Sequence, residues 1–224
     1  MNTSAVFPLG TAYLPGDRVS LNIFEDRYLS MIRDVMDGDQ TFVSVLIERG
    51  SEVGGKDLRH QHGVFVYIES VVAHEELVLV SGIATAPCDI TQWLPDDPYP
   101  RAYANLQPVD ALDERQRYDI ASSLTLLAQE IRLILDSLSS SHESDIAPMA
   151  QEVAVTTVAA GRWWDQRVEE DELWRTFWLL ARNLPCGPFD RYAFLAPGSL
   201  NERVKRLKQT VDHVREVVSF RFGD

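Results

Sequence analysis

Residues 50–57 read Gly-Ser-Glu-Val-Gly-Gly-Lys-Asp. The glycines and Lys56 fit a phosphate-cradling loop, G-x-x-x-x-G-K-[ST], at every position but the last, where Asp57 replaces the hydroxyl residue. Phosphate chemistry would need a strand before this loop and a helix directly after Lys56, aiming its N–H groups and the positive end of its dipole at the anion. It would also need a neutral hydroxyl for Mg²⁺; Asp57 would instead set a carboxylate against the phosphates. The stretch 56–62 runs straight into an apolar strand pattern, which leaves no room for two helical turns. The loop therefore reads as a turn between strands, with Gly50, Gly54 and Gly55 supplying backbone freedom.

Other reactive side chains are sparse. His60 and His62 flank Gln61 and, on an extended segment, could share a face and begin a metal site. His74, His142 and His213 lie in unrelated segments and no acid is placed to complete it, so 60–62 reads as a solvated loop and no metal is assigned. No G-x-S-x-G nucleophile elbow and no H-E-x-x-H zinc helix occurs. Ser51 has no base specified by its context, and Lys205 and Lys208 fall on the exposed side of a helical pattern. Glu25 and Asp26 read as charges favourable at a helix N-terminus. Cys88 and Cys186 lack C-x-x-C spacing and read as thiols in a reducing compartment rather than as a disulfide.

Charge narrows the partners. Lys and Arg number 21 against 34 Asp and Glu, a formal net charge of -13. Residues 1–108 hold 15 acids and 7 bases, and residues 109–224 hold 19 and 14, so neither half is basic. That field argues against nucleic acid as the main partner. The N-terminus lacks the basic and apolar regions of a signal peptide, and no apolar run approaches a membrane span, so a soluble cytoplasmic protein is expected.

The elements that position these residues follow from periodicity. Val6–Leu9, Thr41–Glu48, Gly63–Val72 and Leu77–Ile83 read as strands, the last two as a hairpin across Ala73–Glu76. Further short strands are expected near Cys88–Gln92 and Ala102–Gln107. Asn22 and Glu25 have capping-box spacing ahead of a helix over Phe24–Met36. Five or six short strands with one helix suggest a small closed or half-closed barrel. After Pro108 the pattern turns helical: a long helix over 112–138, a loop by composition over 137–144, and helices over 170–184, 188–195 and from Ser199 onward. Residues 151–161 carry β-branched strand formers in a helical neighbourhood and are read as helix. Ser199–Glu202 is a second capping box, and Pro188 suits a first helical turn. Trp163, Trp164, Trp174 and Trp178 read as helix-bundle core.

The run Trp93-Leu-Pro-Asp-Asp-Pro-Tyr-Pro-Arg101 is stiffened by three prolines and carries residue types enriched at binding hot spots. It also reads as a rigid connection packing its aromatics inward.

Phe7-Pro-Leu-Gly10, Leu14-Pro-Gly16, Ile23-Phe-Glu-x-Arg-Tyr-Leu-x-Met31 and Gly50–Gly55 occur in the order and spacing of one family. Together they resemble the N-terminal, substrate-binding domain of Lon proteases and its stand-alone bacterial relatives. Asp97–Arg101 resembles the segment after the barrel hairpin in those relatives. Leu184-Pro, Asp190-Arg191, Leu195 and Asn201-Glu-Arg203 resemble the helical end of the domain, with Leu184-Pro-Cys-Gly-Pro departing from its leucine-rich form.

The resemblance implies an α+β chain: a pseudouridine-synthase-and-archaeosine-transglycosylase-like (PUA-like) β-barrel with one helix over 1–110, then an α-helical bundle over 111–224. It implies a non-catalytic module for polypeptides or a protein partner, possible homo-oligomers included. The ATPase and Ser-Lys peptidase modules that follow this domain in Lon do not follow here, so neither activity is expected, nor any cofactor. The expected surface is the glycine loop (Gly50, Ser51, Glu52, Gly54, Gly55) with Trp93, Tyr99 and Arg101, while Arg27 and Glu25 tie the first helix to the barrel. The alternative is a PUA-like barrel that binds RNA or a small ligand.

Overall fold

The computed structural model describes residues 3–52, 57–75, 77–139, 146–160 and 168–222. Gly54, Gly55, Trp163 and Trp164 lie outside the described residues. Two compact units divide the chain: Met1–Pro108 with Arg191–Pro197, and Val109–Asp190 with Gly198–Asp224.

The first unit carries six strands: β1 (Thr3–Leu9), β2 (Arg18–Ile23), β3 (Thr41–Arg49), β4 (Leu58–Ala73), β5 (Val78–Trp93) and β6 (Arg101–Leu106). Helix α1 (Asp26–Met36) lies between β2 and β3 in the chain. The strands form one mixed sheet in the order β2-β5-β4-β3-β1-β6, with β1 parallel to β3 and every other pair antiparallel. β5 also pairs with β6, so the order runs from β5 through β4, β3, β1 and β6 back to β5. β2 stands outside that circuit, paired with β5 alone among the described residues.

Two cores explain the apolar pattern. Phe7, Leu9, Phe42, Val64 and Val66 pack with α1 residues Tyr28, Met31, Ile32 and Val35. Val6, Val43, Val45, Cys88, Ile90 and Ala102 form a separate cluster. Successive residues of a strand point to opposite faces, so β1 and β3 feed both clusters. Phe42–Ile47 is consequently buried without a break, which is why it reads as a continuous apolar run rather than an alternation. Burial pushes the Cys88 thiol up to about 12. At Gly63 a Cβ would collide with the Ser44 carbonyl oxygen of the neighbouring strand. The lack of a side chain lets β3 and β4 approach there, and their register shifts just beyond this point, between Val45 and Ile47.

The strands differ from expectation in length. β4 and β5 span 16 residues each, and Cys88–Gln92 continues β5 instead of forming a strand of its own. His60, Gln61 and His62 belong to β4 and not to a loop. The capping box expected at Asn22–Glu25 does not form. Asn22 pairs with Leu79 in the sheet, Glu25 is the N-cap of α1, and no side chain caps the helix.

The second unit is helical. α2 (Glu114–Ser139), α3 (Ile146–Ala160), α4 (Glu170–Asn183) and α6 (Leu200–Phe222) lie wholly in it, and α5 (Pro188–Leu195) crosses the division at Arg191. α3, α4 and α6 all contact α2. Ile120, Leu124, Leu127, Ile131 and Ile134 supply the buried stripe of α2. Residues 137–139, read as loop from their serines, complete α2, each hydroxyl of Ser137 and Ser139 donating to the carbonyl four residues back. The second capping box forms as expected. The Glu202 carboxylate accepts from the Ser199 N–H at 2.8 Å, and the Glu202 N–H points back at the Ser199 hydroxyl at 3.4 Å. Trp174 is half-buried and Trp178 buried; Arg203, 1% exposed, stands 5.6 and 5.4 Å from their rings, respectively.

Candidate functional site

A cleft of about 320 Å³ opens on the first unit between β1, β2 and the start of α1. Alternation on β2 buries Val19, Leu21 and Ile23 and turns Arg18, Ser20 and Asn22 outward. Leu21 and Ile23 then line the cleft together with Phe7 of β1 and Tyr28 of α1. Phe7 and Tyr28 stack with ring centroids 4.1 Å apart, and the Arg27 guanidinium lies 4.4 Å from the Tyr28 ring. Burial pushes the Tyr28 hydroxyl up to about 12 against the pull of Arg27, so it stays protonated at neutral pH. Phe24 projects at the mouth, 57% exposed.

The polar rim is acidic. Among the described residues the charged side chains lining the cleft are Glu25 and Glu52. Arg27 reaches Glu25 at 3.2 Å and donates to the Glu52 carbonyl at 3.3 Å, which binds α1 to the glycine loop. The Glu52 carboxylate accepts from the Gly10 N–H just past β1. Tyr13 also lines the rim; burial raises its pKa first, and Asp17 and Glu52 raise it further.

The residues expected from the sequence fall in three places. Glu52 lines the cleft, and Ser51 is exposed beside it. Gly50 has φ +124°, a conformation that favours glycine, and a Cβ there would press on the Asp57 backbone at 3.0 Å. Trp93 packs half-buried on the Val6–Ala102 cluster, with the Arg59 guanidinium 5.2 Å from its ring. Tyr99 is buried; its hydroxyl donates to Asp34 at 2.7 Å, and burial with that bond lifts its pKa to about 12. It lines a second depression, of about 370 Å³, with Asp34, Asp39 and Phe65. Arg101 opens β6 opposite Ala5, and its Nε is buried with no hydrogen-bond partner among the described residues.

Arg59 joins two of these places. It donates to Asp57, at the end of the glycine loop, and at 3.0 Å to Asp96, in the proline run. Burial disfavours the charged form of Asp57, yet the Arg59 hydrogen bond, a backbone N–H and the charges of Arg59 and Arg27 together outweigh it and hold the carboxyl below its ordinary range. The Arg59 guanidinium is correspondingly held above its ordinary value. Asp57 thus has a structural partner, and β4 begins at Leu58, so a strand follows the loop where phosphate binding requires a helix.

A histidine cluster on the same unit was not legible in the sequence. His60 stacks on Tyr192 of α5 at 4.0 Å. His62 Nδ1 lies 2.8 Å from Asp89, and Gln107 spans from Asp89 to the Leu195 carbonyl, 2.7 Å on each side. Arg191 holds the Ala12 carbonyl at 2.9 Å and pairs with Asp17. These side chains fasten residues 191–195 to the sheet. Among the described residues no group of three His, Cys, Asp or Glu could hold a metal ion, and no helix is long and apolar enough to cross a membrane.

The first unit thus combines an open cleft with an apolar floor and a polar rim, while His60, His62, Arg59 and Arg191 are engaged in tethers. The chain belongs to the family of the ATP-dependent protease La (LON) substrate-binding domain, whose model matches residues 3–213. Its structure is similar to the crystal structure of a Lon N-terminal domain protein from Xanthomonas campestris, with a TM-score of 0.59 and 18% identity, covering 93% of this chain and 98% of that one. It is also similar to the N-terminal domain of the Mycobacterium avium complex Lon protease, with a TM-score of 0.54 and 12% identity over 94% of this chain and 98% of that one. At these identities the likeness is one of fold. No curated protein matches the chain.

Proposed function

We propose that this chain is a non-catalytic module that captures exposed stretches of polypeptide in the cleft of a PUA-like β-barrel, residues 1–110, to which a helical subdomain, residues 111–224, is attached. The observation that carries the reading is a cleft with an apolar floor of Phe7, Leu21, Ile23 and Tyr28, in a member of a substrate-binding family. The strand circuit from β5 back to β5 supports the barrel. The recognition surface includes Gly50, Ser51 and Glu52 and, on the proline run, Trp93, with Tyr99 and Arg101 steadying that run. No ATPase or peptidase step and no cofactor is assigned, and the module acts in the cytoplasm. An acidic rim and a net charge of -13 oppose RNA as the ligand.

Fluorescence anisotropy with a labelled, permanently unfolded polypeptide tests this. Phe24→Ser removes apolar area at the mouth without disturbing the core. It should weaken binding about fivefold while the unfolding midpoint stays within about 2 °C. Tight, steeply salt-dependent binding of RNA, with no binding of the polypeptide, would replace this reading with the nucleic-acid one.

A further inference from the structure

The two strand edges that line the cleft differ in their main-chain groups. On β1 the Val6 N–H turns away from β3 and donates to the Pro100 carbonyl at 2.9 Å. The next residue on that side is Pro8, which has no N–H, and the one after it is Gly10, whose N–H is taken by Glu52. Proline and an inserted carboxylate are how natural sheets blunt an edge. β2 carries neither device. Its sequence, Arg-Val-Ser-Leu-Asn-Ile, has no proline, its one charge is at the first position, and its register with β5 is unbroken over six residues.

The direction of the β2 groups follows from the alternation of antiparallel pairs. The Ala84 N–H donates to the Asp17 carbonyl at 3.0 Å, which makes Asp17 and Ala84 a hydrogen-bonded pair. Every second residue then repeats that pairing, so Val19, Leu21 and Ile23 bond to β5. The N–H and C=O groups of Ser20 and Asn22 therefore lie on the open edge, and both residues line the cleft.

Resting on the capture of polypeptide proposed above, we infer that the cleft binds its client by strand addition: an extended segment hydrogen-bonds to Ser20 and Asn22 of β2 as one further strand. Such pairing draws affinity from the main chain and specificity from alternate side chains. One face of the added strand looks onto Phe7 and Tyr28 and takes apolar side chains. The rim carries the Glu52 carboxylate and, beside it, Glu25 paired with Arg27 at 3.2 Å; its charge is negative on balance, and a lysine or arginine side chain is the one that complements Glu52. The client segment is one that alternates apolar and basic residues. A second copy of this chain would bring the same two acids to the same edge, and like charges within a Debye length, about 8 Å at physiological salt, oppose that pairing.

The test uses a labelled peptide of about eight residues alternating valine and lysine, with two analogues N-methylated at alternate residues, one set along each edge. The side chains are the same in all three. Strand addition predicts that one methylation pattern weakens binding by about tenfold or more and the other is tolerated, because only one edge of the peptide meets β2. It also predicts that the Ser20 and Asn22 amides become protected from hydrogen exchange when the parent peptide binds. Asn22→Pro, which deletes an open-edge N–H and no bond to β5, should abolish binding. Should that variant unfold, the exchange measurement on the unaltered chain decides. Equal binding of both methylated peptides would overturn strand addition while leaving polypeptide capture in place. Failure of the peptides and of unfolded polypeptide alike would overturn both. A dimer that the peptide dissociates would assign the edge to a second copy and overturn the peptide as its resident partner.

Discussion

Each unit of this chain sets an arginine against tryptophan, and the two do it differently. In the first, Arg59 lies 5.2 Å from Trp93 and is held by Asp57 and Asp96. In the second, Arg203 is buried 5.6 and 5.4 Å from Trp174 and Trp178, and its Nε donates to the Gly198 carbonyl at 3.2 Å. The first is an ion-pair clasp that ties Asp57 to Asp96 of the proline run. The second is a cation seated on indole faces inside a helical core. A clasp with carboxylates can be loosened by acid; the attraction of a guanidinium for an indole face does not itself depend on pH in that range.

Arg203→Ala should give the largest effect on stability. It empties a site that is 1% exposed and lined by large rings, and should cost about 3 kcal/mol, read by urea unfolding of the full chain. Arg203→Lys should recover little, since an ammonium lacks the planar face that a guanidinium sets against the indoles. Full recovery by lysine would reduce the arrangement to a simple charge and break the contrast.

Arg59→Ala comes next, at about 2 kcal/mol, because it leaves the Asp57 carboxylate, 2% exposed, without its guanidinium. The sign with pH follows from the folded-state shift. Asp57 is depressed, so its contribution is present above the unfolded pKa near 4 and is lost as pH falls through the lower folded value. Trp93 fluorescence should report that acid loosening in the parent, and Arg59→Ala should flatten it. An unchanged acid limb in the variant would show that the clasp contributes nothing to the pH response.

How much of this was legible depended on distance along the chain. The Ser199–Glu202 capping box and the helix from Pro188 to Leu195 are local, and the structure places both where the residues indicate. His60 and His62 read as loop because their partners lie far along the chain: His62 meets Asp89 and His60 stacks on Tyr192. Asn22 carries the composition of a helix cap, but β2 takes it as an outward-facing strand residue. The cleft was partly legible, through Glu52. Phe7, Leu21, Ile23 and Tyr28 were not, since a cleft floor and a core use the same residue types.

The smallest expected effect sharpens the same comparison. His60 stacks on Tyr192, and its pKa is lowered chiefly by burial, with Glu48 opposing and His62 adding to the fall. The unfolded chain then binds the proton more readily, so stability is complete above the ordinary histidine value, about 6.5, and declines as pH drops through the lower folded value. His60→Phe keeps a flat ring for the stack and removes the titration. The unfolding midpoint of the parent should fall between about pH 6.5 and 5 by more than that of the variant, in a range where Asp57 is still ionised. Parallel pH profiles would mean that the tether at 191–195 does not sense the proton. The acid response of the first unit would then be assigned to the Arg59–Asp57 clasp.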